Sequence, residues 1–229
     1  MGEGIGNDEA IMLFISSANI ACGFHAGDDV TMNKTVLLAK KHGVAVGAHP
    51  SFFDRENFGR TEIELSLKEI YELVQKQIKL IKSIAAKHDV SLRHVKPHGA
   101  LYNMSAKEVT IAHAIALAVK DYDPNLIVVG LSGSHSVKEA IQLGLKTKSE
   151  VFADRTYQDD GSLTSRSQPN ALIDDVAQAV EQVLQMVYKK EVTAVSGKKI
   201  RVEAETICIH GDGQHAVEFA KAINKSLTQ

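Results

Sequence analysis

Along this chain a short apolar run is followed six times by a segment of helical periodicity. The runs are Ser17 to Phe24, Val44 to Ala48, Val90 to Val95, Leu126 to Gly130, Glu150 to Ala153 and Glu205 to Ile209. Short buried strands that alternate with helices can satisfy their backbones only as a parallel sheet with right-handed crossovers, either open and doubly wound or closed as a barrel. In both architectures the functional edge is the carboxyl end of the strands. Polar groups crowd that edge here: His25 and Asp28, then His49, then Lys96 and His98, then Asp154 and Arg155, then His210 and Asp212. Only the run ending at Gly130 lacks such a group. Side chains placed for solubility alone would be as frequent at the amino ends, so the edge reads as a site. A closed barrel gathers four strand-end histidines on one mouth better than an open sheet does.

The densest stretch is His94 to Asn103. Pro97 has no N–H for a ladder and ends the strand. Lys96, His98, Tyr102 and Asn103 then present a cation, an imidazole, a phenol and an amide around Gly99. His98 is expected at a solvent-accessible mouth, where its ring contributes little to packing.

Local signals define the remaining elements. A short helix is predicted over Asp8 to Phe14, and another from an Asp28 or Asp29 N-cap to Lys41 or His42, with Gly43 as its stop. Ser66 and Glu69 match a capping box that opens a long helix, Leu67 to Lys87. Helices are also predicted over Ala106 to Lys120, with a structural His113 on its flank, and from Ser132-Gly133-Ser134-His135, with a serine as N-cap, to near Leu143-Gly144. Others span Asp174 to Lys189 and Ala216 to Leu227, with fraying from Asn224 onward. Glu191 to Val202 reads as a hairpin around Ser196-Gly197. No linker or repeat interrupts residues 1–229, which read as a single domain.

Composition narrows the function classes. A formal charge of −2, from 26 basic and 28 acidic residues, gives no field to recruit nucleic acid or an anionic membrane. No charged segment leads into an apolar secretory core, and no apolar run reaches membrane-spanning length. The two cysteines, Cys22 and Cys208, lie in apolar runs and read as free thiols of a reduced, cytoplasmic chain.

Taken together, Gly2-Glu3-Gly4, Asn19 to Asp28, Gly47-Ala48-His49-Pro50, His94 to Asn103, Val151 to Tyr157 and Ile209-His210-Gly211-Asp212 resemble the LamB/YcsF family, the A subunits of prokaryotic 5-oxoprolinases. The resemblance spans almost the whole chain. It implies a seven-stranded β/α barrel similar to the glycoside hydrolase and deacetylase barrels, with a first strand, carrying an Asp-Leu-Asn-Cys-Asp-like segment, that precedes residue 1. It also implies ATP-dependent opening of 5-oxoproline (pyroglutamate) to glutamate in company with subunits B and C.

The residues supply chemistry for such a reaction. His98, Lys96, His49 and Asp154 are the catalytic candidates, because imidazoles move protons near neutral pH and a cation such as Lys96 stabilises a carboxylate, phosphate or oxyanion. His25, Asp28, Tyr102, Asn103, Arg155, His210 and Asp212 are the candidates for binding substrate, Arg155 through its bidentate fork. His25, His49, His98 and His210 are also candidate ligands for a divalent metal. Pro97 lies between His94 and His98, so these two do not share a helix face, and no close cysteine pair suggests a structural zinc. There is no Gly-x-x-x-x-Gly-Lys-Ser/Thr loop, so ATP is expected to be bound with partner subunits. Two other readings stand beside the lactam reading: a metal-dependent deacetylase acting on carbohydrate, and a subunit that binds a lactam without catalysis.

Overall fold

The computed structural model describes residues 1–228 and divides into two compact units. The first comprises Met1–Gly130 and Ser134–Lys148, and the second Leu131–Gly133 and the residues from Ser149 on. The α/β class read from the alternation is the class observed, and the six runs read as strands all form strands in parallel pairings.

In the first unit a short helix α1 (Asp8–Met12) precedes β1 (Ser17–Ala21), α2 (Asp29–His42), β2 (Ala45–His49), α3 (Leu67–Lys87) and β3 (Leu92–Val95). Then follow α4 (Gly99–Lys107), α5 (Val109–Tyr122), β4 (Ile127–Leu131) and α6 (His135–Gln142). Strands β1 to β4 lie side by side in sequence order, and β1, β2 and β3 pair in parallel so that Asn19, Gly47 and His94 fall in one row, just past a register shift between Val46 and Gly47 in the β2–β3 pairing. Helix α3 starts where the sequence placed it, because Ser66 accepts from the Glu69 N–H at 3.3 Å while Glu69 accepts from the Ser66 N–H at 2.8 Å. Its inward stripe, Ile70, Val74, Ile78, Ile81 and Ile84, is fully buried, each side chain worth about 1.5–3 kcal/mol of burial. That stripe packs against α5, whose Ile111, Ile115 and Val119 complete the core of this unit. Asp28 is the N-cap of α2 and accepts from the Thr31 N–H at 2.7 Å; Gly43 closes the helix.

In the second unit β5 (Thr147–Phe152) pairs in parallel with β8 (Thr206–Cys208). Between them lie α7 (Val176–Leu184), which continues as a π-helical turn through Lys189, and the antiparallel hairpin of β6 (Glu191–Thr193) and β7 (Lys199–Arg201). Helix α8 (Ala216–Leu227) closes the unit.

Four local expectations change. The helix expected over Ala106 to Lys120 is two helices broken at Glu108, whose extended backbone separates α4 from α5. Helix α4 begins directly at Gly99, because Ala100, Leu101, Tyr102 and Ser105 bury one side of it, a pattern overshadowed in the sequence by the polar residues between them. Ser134 takes the N-cap position of α6 but its hydroxyl caps nothing. Helix α8 holds through Leu227 rather than fraying from Asn224, since Ala220 and Ile223 are buried; Gln229 lies outside the described residues. The hairpin is as expected, and Cys22 and Cys208 are buried and not joined in a disulfide. His113 is half exposed and lies 3.1 Å from Glu139.

Candidate functional site

The polar tips of the first unit meet just beyond the carboxyl ends of its strands. His49 is the last residue of β2, and its Nδ1 lies 2.6 Å from the Lys96 carbonyl. A carbonyl only accepts, so Nδ1 carries the proton. Past β3, Pro97 directs the chain to His98 in the N-cap position of α4. The side chain makes no cap bond there; its Nε2 donates to the Phe58 carbonyl at 2.8 Å and its Nδ1 stands 3.0 Å from His49 Nε2. His25, four residues past β1, stacks on the His98 ring with centroids 3.8 Å apart and planes 6° from parallel. Its Nδ1 is 2.7 Å from the Ser51 hydroxyl and its Nε2 is 3.4 Å from a Glu3 carboxylate oxygen.

A close backbone approach makes this packing possible. Gly99 sits at φ 57° against the Gly59 carbonyl, which accepts from the Ala100 N–H at 2.9 Å; a β-carbon at Gly99 would collide with that oxygen. The contact draws the loop after β2 over the site and sets Phe58 edge-on to both His25 and His98.

Burial dominates the electrostatics. His98 is 7 % exposed, so the expectation of a solvent-accessible ring is corrected: the Phe58 loop covers it. Burial, with His25 alongside, depresses its pKa to about 2. Burial also pushes His49 well below the usual imidazole range, aided by His98 and Lys96, and lowers His25. Burial works to raise the Glu3 carboxyl, but the Met1 ammonium and His25 outweigh it and hold the group at about 2. At neutral pH the cluster is therefore an ionised carboxylate among neutral rings.

Beside the cluster, the His94 ring crosses over Gly47 to meet Asn19 Oδ1 at 2.8 Å. Burial and then the charge of Lys96 lower its pKa from 6.5 to about 4. A histidine depressed in the folded state contributes stability fully present above pH 6.5 and lost as the pH falls toward 4. Around pH 5 the His94→Gln variant is expected to show a slope of stability against pH about 1 kcal/mol per pH unit shallower than the parent. Denaturant melts between pH 4.5 and 7 check this, and parallel slopes would refute it.

The second unit holds its own cluster. Asp154, two residues past β5, receives the His210 backbone N–H at 3.0 Å and faces His210 Nδ1 at 2.9 Å. Burial opposes ionisation of Asp154, but His210 and Arg166 bring its pKa down to about 2. Both residues line a cavity of about 230 Å³ together with Arg166, Asp174, Asp212 and Phe219. Arg155 is not on that wall; its guanidinium is buried and donates to the carbonyls of Thr164 and Ala171, tying down the polar loop that follows Tyr157.

The structure thus brings His25, His49 and His98 together in the first unit, and Asp154, His210 and Asp212 around one cavity in the second. Lys96 is buried with its ammonium 5.5 Å over the Tyr102 ring, whereas Asn103 is exposed on α4 and Asp28 is exposed at its cap. Glu3 was not singled out among the sequence candidates. It lies in an irregular glycine-rich turn with no periodicity to mark it, and only the Gly2-Glu3-Gly4 match pointed there.

Comparison with known proteins finds relatives of the whole chain. The 5-oxoprolinase A subunit of Staphylococcus carnosus is 53% identical over 234 residues, covering 100% of this chain and 93% of its own. That of Shouchella clausii is 55% identical, covering 97% of this chain and 88% of the relative. The crystal structure of a lactam utilization protein from Thermus thermophilus superposes with a TM-score of 0.92 at 42% identity, covering 100% of this chain and 94% of that one. A putative cellobiose-phosphate cleavage protein from Enterococcus faecalis V583, at TM-score 0.53 and 13% identity over 97% of this chain and 87% of that one, shares the fold alone. The sequence model of the LamB/YcsF family matches residues 1–229 from end to end, and the chain belongs to that family.

Proposed function

We propose that this chain is the A subunit of an ATP-hydrolysing 5-oxoprolinase, which opens 5-oxoproline to glutamate in the cytoplasm together with B and C subunits. The observation that carries this reading is identity above 50% over the full chain to proteins named as A subunits of 5-oxoprolinase. A lactam is a stable amide, so opening it needs an activated carbonyl and a deprotonated water. Phosphorylation of the lactam oxygen by ATP supplies the activation, and the absence of a phosphate-binding loop in this sequence favours ATP being held with the partners. His49 and His98 are assigned to positioning and polarising the reacting carbonyl.

The test is to purify the chain alone and with the products of its neighbouring genes, then follow glutamate and phosphate release from 5-oxoproline and ATP. Turnover is expected only from the assembled complex. Robust turnover by the chain alone would overturn the division of labour. Acetate release from chitooligosaccharides, with no lactam turnover in any combination, would replace this reading with a deacetylase.

A further inference from the structure

A proton count around the His49 and His98 rings leaves a gap. His49 Nδ1 is committed as a donor to the Lys96 carbonyl, and His98 Nε2 as a donor to the Phe58 carbonyl. A neutral imidazole has one N–H, so the remaining nitrogens, His49 Nε2 and His98 Nδ1, both present lone pairs. They face each other at 3.0 Å in a buried place. Two lone pairs at that distance repel, and the arrangement holds only if something positive lies between or beside them.

His25 repeats the problem. The Ser51 hydroxyl donates to the Phe52 carbonyl at 3.0 Å, so it accepts from His25 Nδ1. His25 Nε2 then turns its lone pair toward the Glu3 carboxylate, 3.4 Å away. Of these groups, Glu3, His49 and His98 bring ligand atoms into one small volume.

A shared proton is the simplest filling, but it answers only one pair of nitrogens. The donor set points to a larger charge. One carboxylate oxygen of Glu3 and one ring nitrogen each of His49 and His98 lie within 4.8 Å of one another, the spacing of atoms that surround a single ion. A separation of 3.0 Å suits two nitrogens bonded at about 2.0–2.1 Å to one centre, at an angle near 90°. Each ring is also braced through its other nitrogen by a backbone carbonyl, the outer support that fixes tautomer and orientation in metal-ligating histidines.

We propose that Glu3, His49 and His98 form a binding site for one divalent first-row cation of the zinc class. Two nitrogens and one oxygen are a donor set suited to zinc, cobalt or nickel rather than magnesium or calcium. Three protein ligands leave a position open to water or a substrate oxygen, as in catalytic rather than structural sites. The site does not depend on the lactam reading, since metal content is read whether or not the complex turns over.

The test uses the full chain, stripped with chelator, loaded separately with zinc or cobalt and freed of excess by gel filtration. One equivalent of metal per chain is expected, with visible cobalt bands characteristic of nitrogen ligation and a rise in melting temperature on loading. His49→Gln and His98→Gln should each weaken binding by about 100-fold or more, since loss of a ligand should cost at least what loss of an outer-sphere partner does. Glu3→Gln should weaken it by at least about 10-fold, while His113→Ala should bind like the parent. Circular dichroism without metal separates lost binding from lost folding, and Glu3→Gln, which keeps the side-chain shape, serves if a histidine variant does not fold. Negligible metal in the folded parent, or undiminished binding in the folded ligand variants, would overturn the site. So would a low-field proton signal between the His49 and His98 rings that persists in excess zinc, because that proton would occupy the place assigned to the ion.

Discussion

Replacing His98 with alanine is expected to lower turnover of the assembled complex by about 100-fold or more, the scale on which a positioned catalytic group contributes. The loss should appear in kcat, because the ring makes contact with His49, His25 and the Phe58 carbonyl and orders the reacting geometry around all three. Stability should also fall, by about 1–3 kcal/mol, because the Phe58 carbonyl loses its donor and the His25 ring loses its stacking partner. Turnover with the partner subunits and a thermal melt of the same variant separate the two effects. A lowered melting temperature with turnover within about threefold of the parent would leave His98 as a packing residue and defeat the assignment.

The largest stability effect is expected at Gly47, on β2. In register it lies between Asn19 of β1 and His94 of β3, and the His94 ring passes directly over it to reach Asn19. The backbone of Gly47 is ordinary; what the position requires is the absence of a side chain. A β-carbon there would fall within the imidazole, inside van der Waals contact of Nε2, Cδ2 and Cε1. Gly47→Ala must therefore expel a buried ring, break its hydrogen bond to Asn19 and disturb three strands at once. A loss of about 3 kcal/mol or more is expected, which for a chain of 229 residues corresponds to a fall in melting temperature of about 6–12 °C. The paired variant Gly47→Ala with His94→Ala removes the collision and should cost clearly less than the sum of the single changes. A Gly47→Ala protein that melts within about 2 °C of the parent would show that the ring does not lie where the structure puts it.

Most of the architecture could be read from local rules. The capping box at Ser66 and Glu69, the stop at Gly43, the turn at Ser196-Gly197 and the alternation of apolar runs with helical stripes each depend on residues close in sequence, and each appears where expected. Where the reading of elements failed, a tertiary contact decided the outcome. Helix α4 starts as early as Gly99 because its own apolar side is buried and because the Gly59 carbonyl accepts from the Ala100 N–H in its first turn.

For the site, the sequence by itself determined which residues stand past the strand ends, since a strand that stops at Pro97 or ends at His49 necessarily delivers its next side chains to that edge. It did not determine which way those side chains face or what each nitrogen bonds. His98 was read as open to solvent and is buried, because the Phe58 loop is drawn over it by a contact 40 residues distant in the chain. Glu3 gave no periodic signal and joins the cluster only in three dimensions, within reach of His25, 22 residues away. Arg155 has the residue type of an anion clamp, yet its fork is directed to the carbonyls of its own loop. Residue type and spacing fix the available donors and acceptors. Their pairing, and hence the lone pairs left facing one another between His49 and His98, depends on distances that only the folded chain sets.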